Sequence, residues 1–170
     1  MVNRATMSAL ATALLLFAQT AHAEDKDKEP VLLELGAAGE WSLLDGTGSF
    51  GPNAALDIPV IEDWLEIEAG VTTLFRSSQT EWDSGVLFKK PFTVSESLEV
   101  EVGVGPSWLH TTVGSRTTDS LGGEVALEFQ VWPWAGRKVG WFLEPSYGYD
   151  FGRGHEQSLG MTLGLLVPLR

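Results

Sequence analysis

The chain has 170 residues, of which 44% are hydrophobic, contains no cysteine and carries a formal net charge of −12. This length suits a single domain, and the lack of cysteine excludes a fold held by disulfide bonds. The negative charge argues against a nucleic-acid partner, because the phosphate backbone would repel the protein.

The N-terminus has the layout of a secretory signal peptide. Arg4 provides a basic start, Leu10 to Phe17 form an apolar run too short to span a bilayer, and Ala21-His22-Ala23 forms a small-x-small cleavage site. The following EDKDKEP segment is charged and lacks apolar anchors, which indicates a flexible tail. We predict a signal peptide over 1–23, an N-terminal tail over 24–30 and one domain over 31–170.

From Val31 onward, hydrophobicity alternates with period two, and no sustained helical stripe is present. Turn-forming residues separate eight such stretches. The predicted strands cover residues 31–43, 50–61, 65–76, 81–94, 98–112, 121–134, 139–152 and 158–169. Because this part of the chain has no apolar stretch long enough for a transmembrane helix, any membrane span must consist of strands.

The predicted connections fall into two alternating sets. Three are tight, at 61–64, 95–97 and 135–138, where the last includes Gly136-Arg137-Lys138. Four are longer, at 44–49, 77–80, 113–120 and 153–157. This alternation is typical of an all-β, antiparallel, up-and-down barrel of eight strands, with both chain termini on the side of the tight turns.

Successive side chains of a strand point to opposite faces, and here one face is apolar while the other is acidic and rich in glycine. The acidic face carries Glu34, Glu40, Asp57, Glu66, Glu68, Glu81, Asp83, Glu99, Glu101, Glu124, Glu128, Glu144 and Asp150. Its glycines are Gly36, Gly70, Gly85, Gly103, Gly105, Gly140, Gly148, Gly152, Gly160 and Gly164. Its only predicted cations are Arg76 and Lys89.

Two architectures fit this alternation. In a soluble, lipocalin-like calyx the apolar face would line a ligand cavity, whereas in a transmembrane barrel it would face lipid. Glycine on the polar face favours the membrane barrel, because a narrow eight-stranded interior needs small residues beside large ones. Aromatic residues near strand ends on the apolar face favour it too, as an interfacial girdle. These are Trp41, Phe75, Trp82, Phe92, Trp108, Trp141, Tyr149 and Phe151.

The last strand supports the same interpretation. Thr162-x-Gly164-x-x-Val167-x-Leu169 resembles the C-terminal assembly signal of bacterial outer-membrane barrels, although Leu169, followed by Arg170, stands where that signal usually has an aromatic residue. The stretch from Trp141 to Leu169 also resembles uncharacterised barrels of this class. The chain is thus similar to the small OmpA- and OmpX-type barrels. The resemblance implies an outer-membrane location and no catalytic residue.

The acidic interior is the main candidate for a function. Buried like charges require shared protons, water or cations. The candidate cation-binding carboxylates are Glu66, Glu68, Glu99, Glu101, Glu124, Glu128 and Glu144. We expect a mostly plugged interior without a dedicated metal site or cofactor, because eight strands leave a lumen filled by side chains. A narrow cation-selective channel or small-solute transporter is the alternative.

Enzymatic activity is not expected. Some barrels of this size are lipid A hydrolases with a Ser/His/acid set, but His155, Glu156 and Ser158 match no such motif, and His110 falls on the apolar face beside Trp108. The partners we expect are outer-membrane lipids and lipopolysaccharide, whose phosphate Arg153 could meet at the rim, and the barrel-assembly machinery, through the C-terminal strand. We expect a monomer.

Overall fold

In a computed structural model of the chain, which describes residues 29–77, 79–134, 136–152 and 154–169, eight antiparallel strands form one closed barrel in sequential order. The predicted signal peptide and most of the predicted tail lie outside the described residues, as does Arg153. The strands are β1 (Val31–Ser42), β2 (Gly48–Ile61), β3 (Leu65–Arg76), β4 (Gln79–Ser95), β5 (Leu98–Val113), β6 (Arg116–Val131), β7 (Gly140–Asp150) and β8 (Gln157–Leu169).

Closure is made by the first and last strands. β1 pairs with β8 along its whole length, from Val31 opposite Leu169 to Ser42 opposite Ser158. Every strand therefore has two neighbours, and the barrel has no open sheet edge along this seam. The predicted fold class is confirmed. Among the described residues, no helix is long and apolar enough to cross a membrane.

The predicted alternation of long and short connections is wrong. At the end where β1 begins and β8 ends, called the terminus end, the connections are 62–64, 96–97 and 132–139; at the opposite loop end they are 43–47, 77–78, 114–115 and 151–156. The predicted long connection at 113–120 is a two-residue turn in which Gly114 has a φ of 59°. The β-branched Thr117 and Thr118 continue the strand instead.

The predicted tight turn at 135–138 is the longest connection. β6 ends at Val131, because Pro133 has no N–H to donate to the ladder and Trp132 turns its side chain into the barrel. Gly152, predicted to lie on the inner face of a strand, is exposed beyond the end of β7.

The predicted division of faces is otherwise confirmed. None of the thirteen acids on the predicted polar face is exposed: nine are buried, and Glu40, Glu81, Asp83 and Glu124 are half-buried. The large exposed hydrophobic residues occupy the outer face, among them Trp41, Trp82, Trp108 and Trp141. This inverts the order of a soluble protein and contradicts the calyx, whose acids would face water.

Glycine makes room for the aromatic residues inside. Gly36 and Gly164 face each other across the closing seam, and Phe142, which is 1% exposed, lies over the pair. A Cβ added to Gly36 would lie 2.7 Å from the carbonyl oxygen of Leu163 and 3.2 Å from Cζ of Phe142. A Cβ on Gly140 would lie 2.9 Å from the ring of Trp132. Glycine at these positions therefore lets large aromatic side chains pack inside the barrel.

Candidate functional site

Lys89 occupies the middle of the barrel, and its side chain has no solvent exposure. Six carboxylates from six other strands have an oxygen within 4 Å of its Nζ. We call this group the lysine cluster. Its acids are Glu68 and Glu128, which contact Nζ directly, Glu144 at 3.4 Å, Glu101 at 3.6 Å, Glu34 at 3.8 Å and Asp57 at 3.9 Å.

Local strand geometry explains why these side chains converge. Each lies at an inward position of its strand, so closure of the barrel points all of them at one axis. Lys89 has room to reach that axis because Gly103 lies directly across from it on β5. A Cβ on Gly103 would stand 3.1 Å from Cγ of Lys89.

The lysine cluster has more acceptors than donors. An ammonium group has three N–H donors, whereas six carboxylates surround this one. One further donor is Nε2 of Gln130, which donates to Oε1 of Glu101 at 2.7 Å. Both oxygens of Asp57, Oε2 of Glu101 and Oε1 of Glu128 are buried without a hydrogen bond. With every carboxyl ionised, six negative charges and one positive charge would leave the cluster at −5.

Oxygens of the lysine cluster form two overlapping triads whose spacing suits a cation. One triad is Glu34, Glu68 and Glu128, and the other is Asp57, Glu101 and Glu128. Within each triad one oxygen of every residue lies within 4.8 Å of the others. Carboxylate oxygens are the ligands preferred by hard cations such as Ca²⁺ and Mg²⁺.

An apolar cap lies between the lysine cluster and the terminus end. Trp132, Phe142 and Leu166 are at most 3% exposed and pack together with Leu32. Arg137 extends this cap toward solvent: its guanidinium carbon lies 5.4 Å from the Trp132 ring centroid, and its Nη1 donates to Oε2 of Glu99 at 2.8 Å.

The loop end is open in comparison. A cavity of about 250 Å³ is lined by Glu40, Arg76, Asp83 and Ser107, among others. A smaller one of about 70 Å³ shares Glu40 and Asp83 with it and reaches Glu68 and Glu144 of the lysine cluster. Both cavities therefore lie on the loop-end side of the lysine cluster.

Neighbouring groups shift the pKa values of one carboxyl at each rim of the barrel. In the 43–47 loop, hydrogen bonds from the hydroxyl and backbone N–H of Thr47 lower the pKa of Asp45 to about 2. Arg76 lies 3.7 Å from the same carboxylate. At the terminus end, burial and then the charge of Glu99 raise the pKa of Glu29.

The predicted cation-binding carboxylates do not form one group. Glu68, Glu101, Glu128 and Glu144 join the lysine cluster, as Lys89 does. The others are dispersed: Glu66 is buried next to the cluster, Glu99 pairs with Arg137 at the terminus end, and Glu124 is half-buried on the cavity wall. Arg76, the other predicted interior cation, lies at the loop end.

Sequence reasoning missed three charged residues that form ion pairs inside the barrel or at its rim. Glu34 and Asp57 were placed on the acidic face but not among the site residues, although both share the inward parity of Lys89. Arg137 was interpreted as a turn residue, yet it pairs with Glu99. Only its closeness in sequence to Trp132 could have indicated this.

The candidate catalytic residues do not assemble. His155, whose φ is 61°, has its ring centroid 5.8 Å from that of Tyr149, and within the described part of the chain no hydrogen bond joins it to Ser158. His110 pairs instead with Asp119 across the β5–β6 hairpin, at 2.7 Å between Nδ1 and Oδ1. A nucleophile needs a base within hydrogen-bond reach, and neither histidine supplies one to a serine here.

No protein-family model matches the chain, and no curated protein is significantly similar to it. Solved structures do match. Neisserial surface protein A (NspA) is 16% identical over 82% of this chain and 96% of its own, with a TM-score of 0.65. The N-terminal β-barrel domain of Pseudomonas aeruginosa OprF is 13% identical over 79% and 96%, with a TM-score of 0.55. The outer membrane enzyme PagL is 11% identical over 81% and 99%, with a TM-score of 0.54.

These similarities establish the fold. The chain resembles small eight-stranded outer-membrane barrels, as the sequence predicted. One of these similar structures is a surface protein and another is an enzyme, so the fold does not assign an activity.

Proposed function

We propose that this chain is a bacterial outer-membrane protein with a packed, non-conducting interior and a structural role in the envelope. The observation that carries the proposal is the inverted burial: carboxylates and one lysine lie inside, while leucine, valine and aromatic side chains lie outside. In water such an outer surface would drive aggregation, whereas in a bilayer it is the surface that lipid chains solvate.

The arrangement of aromatic residues supports insertion across a bilayer. Trp41, Trp82 and Trp108 lie toward the loop end, and Trp64 and Trp134, each 58% exposed, lie at the terminus end. Aromatic belts at both rims are typical of transmembrane barrels. The strands have 11 to 17 residues, long enough for the 9–11 or so that a tilted transmembrane strand needs.

Localisation is tested by fractionating cells that express the full chain. We expect the protein in detergent-extracted outer membranes, with a gel mobility that changes on heating because the closed barrel resists unfolding in cold detergent. Recovery as a soluble periplasmic monomer would contradict the membrane proposal.

The packed interior is tested by conductance. The apolar cap, which includes Trp132 and Phe142, and the lysine cluster would both obstruct an ion that crosses the interior. We therefore expect no stable current in planar bilayers. A reproducible cation-selective current would refute this, above all one that weakens in a Glu66→Gln, Glu68→Gln, Glu99→Gln, Glu101→Gln variant. The matched control is Glu96→Gln in an exposed turn, which removes the same kind of charge outside the barrel.

The proposal includes no catalytic activity. Its support is that no hydrogen bond joins His155 to Ser158 among the described residues and that His110 pairs with Asp119. Lipid A profiling by mass spectrometry, with and without the gene, is the test. An acyl-chain change that depends on Ser158 or His155 would show that the chain is a hydrolase.

The proposed partners follow from the same placement. Outer-membrane lipids and lipopolysaccharide would surround the apolar face, the barrel-assembly machinery would engage β8 (Gln157–Leu169), and the protein would be a monomer. Crosslinking in intact cells is the test: we expect a transient product with the assembly machinery and none between two copies of the chain.

A further inference from the structure

Three buried carboxyls in the middle of the barrel contact one another. Asp57 on β2 lies within hydrogen-bonding contact of the carboxyls of Glu66 on β3 and Glu101 on β5. Asp57 has no exposed surface, Glu101 is 1% exposed and Glu66 is 7% exposed. We call these three residues the carboxyl trio. Asp57 is the member that contacts both of the others.

The contacts within the carboxyl trio need protons to become hydrogen bonds. An ionised carboxylate only accepts hydrogen bonds, so two ionised groups in contact have no donor between them. Both oxygens of Asp57 and Oε2 of Glu101 are buried without a donor, whereas Oε1 of Glu101 accepts from Nε2 of Gln130 at 2.7 Å. A protonated carboxyl has an O–H that donates. One proton at each of the two contacts would therefore satisfy the oxygens that lack a donor.

The surroundings supply too little positive charge to replace these protons. The ammonium of Lys89 on β4 contacts Glu68 on β3 and Glu128 on β6 directly, and lies farther from the trio, at 3.6 Å from Glu101 and 3.9 Å from Asp57. The other charged or titratable neighbours are Glu29 before β1, Glu34 on β1, Glu99 on β5, Glu144 on β7 and Arg137 in the 132–139 connection, which pairs with Glu99. Strand β8 has no charged residue. Like charges and burial both favour the neutral form of a carboxyl here.

We propose that Glu66 and Glu101 stay protonated in the folded barrel at neutral pH and that each donates its proton to an ionised Asp57. The negative charge falls on Asp57 because this carboxyl contacts both of the others and lies 3.9 Å from Nζ of Lys89. The two protons come from solvent as the barrel closes, since the same groups are ionised in an unfolded chain at neutral pH. The two hydrogen bonds tie β2, β3 and β5 together inside the barrel.

This arrangement makes the stability of the barrel depend on pH in a fixed direction. Above about pH 4–4.5, where carboxyls of the unfolded chain ionise, the folded state holds two more protons than the unfolded state. The folded state is therefore most stable in acid and loses stability as the pH rises. Each extra proton changes the equilibrium constant of unfolding about tenfold per pH unit, so two protons change it about hundredfold.

The inference rests on the packed interior proposed above, because water in an open lumen would solvate all three carboxyls in their ionised form. The test uses the purified full chain refolded in detergent with EDTA, so that protons rather than divalent cations are measured. Urea unfolding is followed by tryptophan fluorescence between about pH 6 and pH 8. Infrared spectroscopy of the folded protein at neutral pH detects the carbonyl stretch of protonated carboxyls directly.

The variants are Glu66→Gln and Glu101→Gln. Each replaces the O–H donor by an amide N–H donor of nearly the same shape, so the contact with Asp57 is kept while one titrating proton is removed. Each variant should reduce the pH dependence by about tenfold per pH unit and remove one protonated carboxyl from the infrared signal. Glu96→Gln, in an exposed turn, is the matched control and should change neither. A failure of one variant to fold leaves the other as the test.

Two results would overturn the shared protons. The first is a wild-type pH dependence below about tenfold per pH unit without an infrared signal from protonated carboxyls, which would mean that the trio is ionised. The second is a pH dependence and an infrared signal that both variants keep, which would place the protons on other acids. Either result with a silent bilayer recording leaves the packed interior standing, whereas a steady current refutes the packed interior itself.

Discussion

Replacing Lys89 by methionine tests the lysine cluster most directly. Methionine keeps most of the length and apolar stem of lysine but removes the ammonium, so packing changes little while the buried carboxylates lose their counterion. Glu68 and Glu128 lose a direct donor, and four other acids lose a positive charge within 4 Å.

The expected loss is large. Removing one partner of a buried ion pair typically costs about 3–5 kcal/mol, because the remaining charge stays desolvated and unpaired. The Lys89 side chain has no exposure and Glu128 has none either, so solvent cannot take over. Against a total stability of about 5–15 kcal/mol, Lys89→Met should remove at least about a fifth of the free energy of unfolding.

The assay is urea unfolding of the refolded protein in detergent micelles, followed by tryptophan fluorescence. The matched control is Lys90→Met. Lys90 is the next residue, lies half-buried on the outer face and contacts the carbonyl of Asp63 and the Phe92 ring rather than the buried carboxylates. We expect this control to change the free energy of unfolding by less than about 1 kcal/mol.

A double-mutant cycle tests whether the effect of Glu128→Gln on stability changes sign when Lys89 is replaced. In the wild-type background Glu128→Gln should destabilise, because it removes a partner of the ammonium. In the Lys89→Met background the same change should restore part of the loss, because it removes an unpaired charge. The reasoning is wrong if Lys89→Met stays within about 1 kcal/mol of wild type, or if Glu128→Gln destabilises it further.

Three other predictions follow from the rims and the cap. Thr47→Ala removes the hydroxyl donor but keeps the backbone N–H, so it should raise the pKa of Asp45 from about 2 part of the way toward 3.8, read by carboxyl NMR. The stability from ionised Asp45 is present above pH 3.8 and lost as pH falls through 2. An unchanged pKa would exclude the Thr47 hydroxyl as a cause. Glu29→Gln should stabilise the folded protein at neutral pH and have no effect below pH 4.5, the ordinary pKa of a glutamate. The reason is that the pKa of Glu29 is raised in the folded protein, so its ionised form opposes folding. Urea unfolding midpoints at the two pH values test this, and equal effects of the substitution at both would contradict it. Gly140→Val should displace Trp132 and lower the free energy of unfolding by about 1–3 kcal/mol. Gly136→Ala, at an exposed position with a φ of 85°, is the control and should lower the free energy of unfolding by less. The reverse order would show that the apolar cap is loosely packed.

The sequence alone determined the fold class, because period-two alternation is a local property. Glu66 and Glu68 flank Ile67, so any strand conformation puts both acids on one face and the isoleucine on the other. Repeating this in eight segments predicts the barrel, the acidic interior and the aromatic outer face. The boundaries of the strands were predictable to within a few residues except where Pro133 and the 116–121 segment decided them.

Alternation does not tell how far apart two inward side chains lie. Lys89 reaches six carboxylates because closure brings strands far apart in sequence to one axis, and the register sets which residues share a level. The turn of Trp132 into the interior and the reach of Arg137 to Glu99 likewise depend on the space left by distant strands. These are long-range distances, which a local pattern cannot encode, so only the tertiary structure decided which charges meet and at which end of the barrel the apolar cap lies.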